Sequence, residues 1–319
     1  KILKEFSPDI AYVHNTWFKG SLGIFRILKE SNISTVLKLH NFRYYCTKSY
    51  TTKNHLINNH PCQACGLNKN QLGFFNKYFQ NSWLQSLIVN RYGKKYFKII
   101  KEQNITILVL TKFHKKFLIE LGIENQRIKV LPNYISVPEK KGERVVGDFL
   151  VYAGRISPEK GVEELINAFN NIENNKSVLK IIGVGPSYED FKKKYASEKI
   201  VFLGQIPNLE VIDSISKSKG VVTATKLFEG QPTLLCEASS LGVPSIFPKT
   251  GGISEFYPPN YLFSFEQFNY VDLQKKLQLL LSGNQLKTQG TENKMYISKY
   301  LNEQGLLDEF DKIAIGSNG

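Results

Sequence analysis

Short apolar runs alternate with stretches of helical period along almost the whole chain, and no other feature of the sequence constrains the fold as strongly. In the first half, "IAYV" (10–13), "TVLKL" (35–39), "ITILVL" (105–110) and "IKVL" (128–131) predict strands, with helical patterns near 20–30, 74–102 and 112–121. In the second half the runs are "FLVYA" (149–153), "VLKII" (178–182), "IVFL" (200–203), "GVVTA" (220–224) and "PSIF" (244–247). Each is followed by a helical segment, and helical stretches near 270–282, 292–301 and 303–314 close the chain. Strands alternating with helices are the pattern of βαβ units, so the fold class is α/β with parallel sheets.

At 319 residues the chain exceeds one ordinary core and suits two domains of roughly 150 residues each. The stretch "PNYISVPEKKGERVVGD" (132–148), rich in Pro, Gly and charge, reads as an exposed linker between them. The first half shows too few strands for a closed doubly wound domain, and "KILKEF" reads as a helix cut mid-element, so the expectation is an N-terminal domain incomplete at its start. No apolar run approaches the roughly 20 residues of a transmembrane helix. Four cysteines (Cys46, Cys62, Cys65, Cys236) are too few for a disulfide-stapled scaffold, and no export signal is read. The expected location is therefore a reducing cytoplasm.

The net charge of +14 is unevenly placed. Residues 1–140 hold 22 Lys+Arg against 7 Asp+Glu, a balance of +15, and the remaining 20 against 21 give −1. A basic half favours anionic partners such as nucleic acid, an anionic leaflet or a phosphate-bearing substrate. A merely solvated surface is the alternative. Residues 40–73 form a long stretch of little periodicity, and loops of that length in compact domains are usually functional.

Several strand-to-helix turns carry chemistry. After "FLVYA", the stretch "GRISPEKGVEELINAF" places Arg155 and Lys160 about a helix start that Pro158 is expected to open and Ser157 to cap. Two cations beside a helix N-terminus suit a diphosphate, because free amides, the helix dipole and a forked guanidinium all favour anionic oxygens. "IIGVGP" puts Gly183 and Gly185 at another such turn. It lacks the third glycine and the downstream acid of the dinucleotide fingerprint, which counts against NAD. In "FEGQPTLLCEA", Glu229 falls in a loop above the sheet and Glu237 in the second turn of a helix begun at Pro232 and Thr233, so both are expected to face one crevice. Ionised carboxylates only accept hydrogen bonds, which suits sugar or ribose hydroxyls. A hydrolytic acid pair is the competing use, and it leaves the diphosphate-like turn without purpose.

Taken together, "LTKFHKKFLIELGIENQRIKVLPN", "YAGRISPEKGVEELINAF", "IIGVGP", "FLGQIP" and "FEGQPTLLCEASSLGVPSIFPKTGGISEF" resemble the retaining glycosyltransferases of family 4. The resemblance covers about 105–300 and extends, through "PDIAYVHNTW" and "KLHNFRYYC", into the first half. It implies a GT-B fold, two Rossmann-like domains facing a cleft. An acceptor domain would span 1–135 and a nucleotide-sugar domain 136–300, with a helix at 301–319 returning toward the first. It further implies that Arg155 and Lys160 hold the donor diphosphate, Glu229 the sugar hydroxyls and Glu237 the ribose. Amides of Gly230, Gln231, Thr233 and Leu234, with Pro232 between them in the turn, would support sugar and phosphate, with Gly183 and Gly185 on the donor side. His40 is the candidate near the transferred carbon, a strand-end histidine of structural use being the alternative. His14, Asn41 and Arg43 are candidates on the acceptor side.

Cys46, Cys62 and Cys65 suggest a zinc site completed by His55 or His60, with reduced thiols in a packed loop as the alternative. No cofactor is expected, and the absence of any Asp-x-Asp argues against a donor-bound metal. The implied activity is transfer of a sugar from a nucleotide diphosphate sugar to a sugar or lipid-linked acceptor, in polysaccharide, lipopolysaccharide or glycolipid synthesis. Peripheral contact with the inner membrane face, and no nucleic acid, goes with it. A nucleotide-sugar epimerase of the same fold and a non-catalytic glycan-binding protein stay open as alternatives.

Overall fold

The structure, a computed structural model, describes residues 2–14, 16, 21–44, 79, 82–138 and 144–316. The chain divides into two compact units, Lys1–Asn133 with Glu303–Gly319, and Tyr134–Asn302. Cys46, Cys62, Cys65, His55 and His60, and with them the zinc reading, lie outside the described residues.

The first unit opens with α1 (Ile2–Phe6), β1 (Ile10–His14), α2 (Gly23–Glu30) and β2 (Ser34–Leu39). It continues with α3 (Trp83–Glu102), β3 (Thr106–Val109), α4 (Lys112–Glu120) and β4 (Ile128–Val130). The four strands pair in parallel in the order β1-β2-β3-β4. Two helix starts have side-chain caps: the Ser82 hydroxyl accepts from the Gln85 amide and the Thr111 hydroxyl from the His114 amide. Such bonds satisfy N–H groups that the helix itself leaves unpaired. The chain returns to this unit as α11 (Glu303–Gly316). Ile313 joins Val36, Leu108 and Leu131 in one buried cluster, flanked by Ile10, Leu306 and Phe310.

The second unit contains β5 (Phe149–Ala153), α5 (Val162–Asn170), β6 (Val178–Ile182), α6 (Tyr188–Tyr195), β7 (Ile200–Gly204), α7 (Asn208–Lys217) and β8 (Gly220–Val222). There follow α8 (Thr233–Ser240), β9 (Ser245–Lys249), β10 (Ser264–Glu266), α9 (Tyr270–Leu281) and α10 (Leu286–Tyr300). All six strands are parallel, in the order β10-β9-β8-β5-β6-β7. The chain winds outward one way from β5 and then the other way from β8. The two winding directions meet between β5 and β8, the switch point where open α/β sheets bind ligands beyond their carboxyl ends.

Three expectations are corrected. Pro158 does not open an α-helix. Residues Pro158–Lys160 make a 3₁₀ turn, the Ser157 hydroxyl donates to the Glu159 carboxylate at 2.7 Å instead of capping, and α5 begins at Val162 behind Gly161. The linker is not exposed throughout, since the Arg144 guanidinium donates to the carbonyls of Ser216 (2.9 Å), Ser218 and Gly242. Burial there lowers its pKa to about 10. β10 has no counterpart among the expected strands. Its three residues hide only Phe265 fully, too little for a run to stand out. Among the described residues, no helix is long and apolar enough to cross a membrane.

Candidate functional site

Beyond the carboxyl ends of β5 and β8 lies a cavity of about 250 Å³. Its floor is Tyr152, Ala153 and Gly154 from the end of β5 with Thr223 and Thr225 after β8; its rim carries Lys160, Glu229, Gln231, Pro232, Thr233, Leu234, Leu235 and Ile253. Topology and cavity therefore agree on one place.

Each wall is positioned by local chemistry. At Gly161 the backbone takes φ +68° and lies so close to the loop after β8 that a Cβ would stand 1.9 Å from the Ala224 carbonyl oxygen. Only glycine fits such an approach in a left-handed conformation. The same contact is reinforced by the Lys226 amide, which donates to the Glu159 carbonyl at 2.9 Å, and by the Lys226–Glu164 ion pair at 2.5 Å. With the two turns locked together, Lys160 Nζ donates to Glu229 Oε1 at 2.6 Å, and the Thr225 hydroxyl donates to the same oxygen at 2.9 Å. Among the described residues Oε2 takes no such bond. The Glu229 main chain is fixed as well, its carbonyl accepting from the Gly252 amide at 2.8 Å.

The Pro232–Thr233 start of α8 faces the same cavity. Pro232 takes the N-cap position and gives no side-chain cap, while its carbonyl accepts from the Leu235 and Cys236 amides. The positive end of the helix dipole favours an anion there. The site thus combines a cation, an N-terminal helix turn and a carboxylate with one oxygen to spare, a set suited to a ligand with both phosphate and hydroxyl groups.

Of the residues expected from sequence on the donor side, Lys160, Glu229, Gln231, Pro232, Thr233 and Leu234 line this cavity. Arg155, Gly183, Gly185, Gly230 and Glu237 lie outside its lining. Arg155 is exposed on the turn next to it, its carbonyl held by the Tyr152 hydroxyl at 2.8 Å. Gly183 and Gly185 serve packing, because a Cβ on either would stand 2.0 to 2.2 Å from the carbonyls of Gly154 and Ile156. Glu237 is half-buried on α8, and burial raises its pKa. Thr225 and Tyr152 were missed in the sequence. The one available signal was position, since Tyr152 falls at the carboxyl end of β5 and Thr225 in the loop just beyond β8.

In the first unit the carboxyl ends of β1 and β2 bring two expected residues together: His14 Nδ1 and His40 Nε2 are 3.0 Å apart, with Tyr12 against the His14 ring. Burial, then His14 and Lys38, hold the His40 pKa below the usual imidazole value; burial and Lys38 do the same for His14. Lys38, paired in register with His14, is itself desolvated to about 8. The Asn41 side chain accepts from the Arg43 amide at 3.0 Å and so shapes the turn after β2. His114 was not singled out in the sequence. Fully buried, bonded to the Tyr44 hydroxyl at 2.8 Å and lowered to about 3, it stays neutral and holds this turn against α4.

Residues 136–295 match the family model described as glycosyl transferases group 1. An uncharacterized glycosyltransferase of Methanocaldococcus jannaschii is 29% identical over 215 residues, 65% of this chain and 59% of that protein. Protein CapJ of Staphylococcus aureus is 28% identical over 185 residues, 56% of this chain and 46% of its own. The chain covers between 26% and 59% of the length of the first curated relatives it matches. Among solved structures, S. aureus TarM in complex with UDP, alpha-GlcNAc-glycerol and fondaparinux matches with a TM-score of 0.68 at 17% identity, over 98% of this chain and 57% of that one. The shared architecture is the GT-B fold. With the family model matched across half of its length, this chain belongs to the glycosyl transferases group 1.

Proposed function

We propose that the protein is a retaining glycosyltransferase that takes its sugar from a nucleotide diphosphate sugar and passes it to a hydroxyl of a sugar or lipid-linked acceptor, in the synthesis of a cell-surface polysaccharide or glycolipid. The observation that carries this reading is the Lys160–Glu229–Thr225 set at the switch point beside the α8 N-terminus. A diphosphate would take Lys160, the exposed Arg155 guanidinium and the α8 amides, while Glu229 Oε2 accepts from a sugar hydroxyl. In the reaction the bond from the anomeric carbon to the diphosphate oxygen breaks, the acceptor oxygen bonds to that carbon, and the acceptor proton is released. Negative charge grows on the departing diphosphate, where fixed cations and amides stabilise it without rearranging. That clamp consists of protein groups alone, in keeping with the lack of an Asp-x-Asp, and the expected hexosyl transfer is metal-independent. Glu237 serves the ribose, His40 stands near the transferred carbon, and His14, Asn41 and Arg43 serve the acceptor side. The site of action is the cytoplasmic face of a membrane, where the basic first half meets anionic lipid.

Support comes from S. aureus TarM, whose structure holds UDP and a GlcNAc glycoside. The test is a thermal-shift panel of nucleotide diphosphate sugars, since a ligand that binds only the folded state raises the melting temperature by mass action. One donor raising it, together with transfer from that donor to an added acceptor, is the expected result. No response to any donor, or an epimerised sugar from the donor alone, overturns the reading.

A further inference from the structure

Helix α3 turns two kinds of surface outward on one side. Its buried face is Val89, Asn90, Gly93, Tyr96, Ile99 and Ile100. On the opposite side Leu84, Leu87 and Ile88 are 67%, 38% and 49% exposed, with Trp83 at the same end 51% exposed. From Arg91 onward that side is cationic: Arg91, Lys94, Lys95, Lys98 and Lys101 are all exposed, and the only acid of the helix is the terminal Glu102. Positions 84, 87, 88, 91, 95 and 98 recur at spacings of three and four, so they share one face. The helix has 20 residues and is therefore about 30 Å long. Its exposed face is apolar over the first two turns and basic over the rest.

We propose that this face is a docking surface for an anionic lipid bilayer, which deepens the membrane part of the proposed function and rests on it. Large aliphatic side chains clustered on a solvent face are costly and mark a contact. Leucine and isoleucine have no use against a nucleic-acid backbone, and a helix docked in a protein groove would carry its apolar stripe along its length. Here the stripe stops and five cations follow. A bilayer offers both complements within a few ångströms, acyl chains for Leu84, Leu87 and Ile88 and headgroup phosphates for the lysines. The charge balance agrees, because the whole excess of the chain lies in residues 1–140.

The test is flotation of the full chain with phosphatidylcholine vesicles and with mixed phosphatidylcholine and phosphatidylglycerol vesicles, each at low and high salt. The wild-type chain is expected to float with the anionic vesicles at low salt. Lys94→Glu with Lys95→Glu should cut the partition coefficient by about tenfold or more, and Leu84→Ser with Leu87→Ser should cut it comparably. All four residues are exposed, so the variants should melt as the wild type does. Equal recovery from both lipids, or variants that float as well as the parent, overturns the proposal. So does light scattering that shows a dimer in the parent and a monomer in the leucine variant, because the face then belongs to a second copy. Thermal shift by nucleotide sugars, measured on the same variants, separates the two readings: a chain without that response whose flotation still depends on α3 loses the donor reading and keeps this one.

Discussion

Among the described residues Lys160 has one carboxylate partner, Glu229 Oε1 at 2.6 Å, and under the proposed function a diphosphate would compete for the same ammonium. Glu229→Gln removes the competing charge while keeping the shape. Under the proposed function, calorimetric titration with a nucleoside diphosphate, UDP being the first probe, should therefore show affinity unchanged or raised, whereas transfer of the sugar should fall by about tenfold or more, because a bond to a charged acceptor is worth about 1.5 to 3 kcal/mol. Lys160→Ala should do the opposite to the nucleotide and weaken UDP by about tenfold. A second residue, Lys38, makes a prediction in pH. Its folded pKa of about 8 lies below the ordinary lysine value because burial disfavours the ammonium. Between about 8 and about 10.4 the unfolded chain binds the proton and the folded chain does not, so this group lets stability rise with pH in that window and penalises the fold below it. Lys38→Met should accordingly raise the melting temperature at pH 7, by about 2 to 4 °C for each kcal/mol recovered, and the gain should vanish near pH 10.5; a gain independent of pH would refute the assignment. Arg155, expected with Lys160 and Glu229, lies outside the cavity lining, whereas those two, each with a charge and a place in a turn, line the cavity and were legible from residue type alone. Thr225, Tyr152 and His114 were not, because a hydroxyl that orients a carboxylate and a neutral buried imidazole leave no pattern in one sequence.

Elements were more legible than sites, for a physical reason. A parallel strand covered on both faces is a continuous apolar run, and Leu150 and Val151 in β5 or Val221 and Val222 in β8 read as strand because both faces are buried. Where burial is partial the signal fades, as in β10. Helix starts were the weak point. Pro158 with Ser157 has the composition of a helix N-terminus, yet the chain spends Pro158–Lys160 on a 3₁₀ turn and starts α5 only after Gly161. The requirement that decides it is tertiary, namely that the backbone at 161 pass beside the Ala224 carbonyl, and no local pattern contains it. Gly161→Ala tests this directly. The left-handed backbone alone should cost about 1 to 2 kcal/mol, and the overlap with Ala224 should push the turn and Lys160 away from Glu229. Melting temperature and UDP affinity are both expected to fall, while a variant that melts lower but binds UDP normally would show the turn to be dispensable for the site.

At the scale of the whole molecule the first unit is built from two distant pieces of chain, since residues 303–316 return as α11 to complete a core begun by β1 to β4. Nothing in the composition of "NEQGLLDEFDKIAIG" announces where it docks. Its apolar residues Leu306, Phe310 and Ile313 recur at spacings of three and four, which fixes one buried face but not the sheet that receives it. The partner is settled by Val36, Leu108 and Leu131, which together with Ile313 form the buried cluster. The second unit has its own core and the whole of the candidate nucleotide cavity, so the two units should respond differently to damage at the C-terminus. Ile313→Ala should cost about 2 to 4 kcal/mol as a buried large-to-small change, and truncation after Asn302 should cost more. Scanning calorimetry with and without UDP is the measurement. The expected trace has one transition lowered by the substitution and indifferent to UDP, and another that UDP raises and the substitution leaves in place. If both transitions drop together by the same amount, α11 stabilises more than the sheet it packs on, and the separation of the molecule into a nucleotide unit and an α11-dependent unit fails.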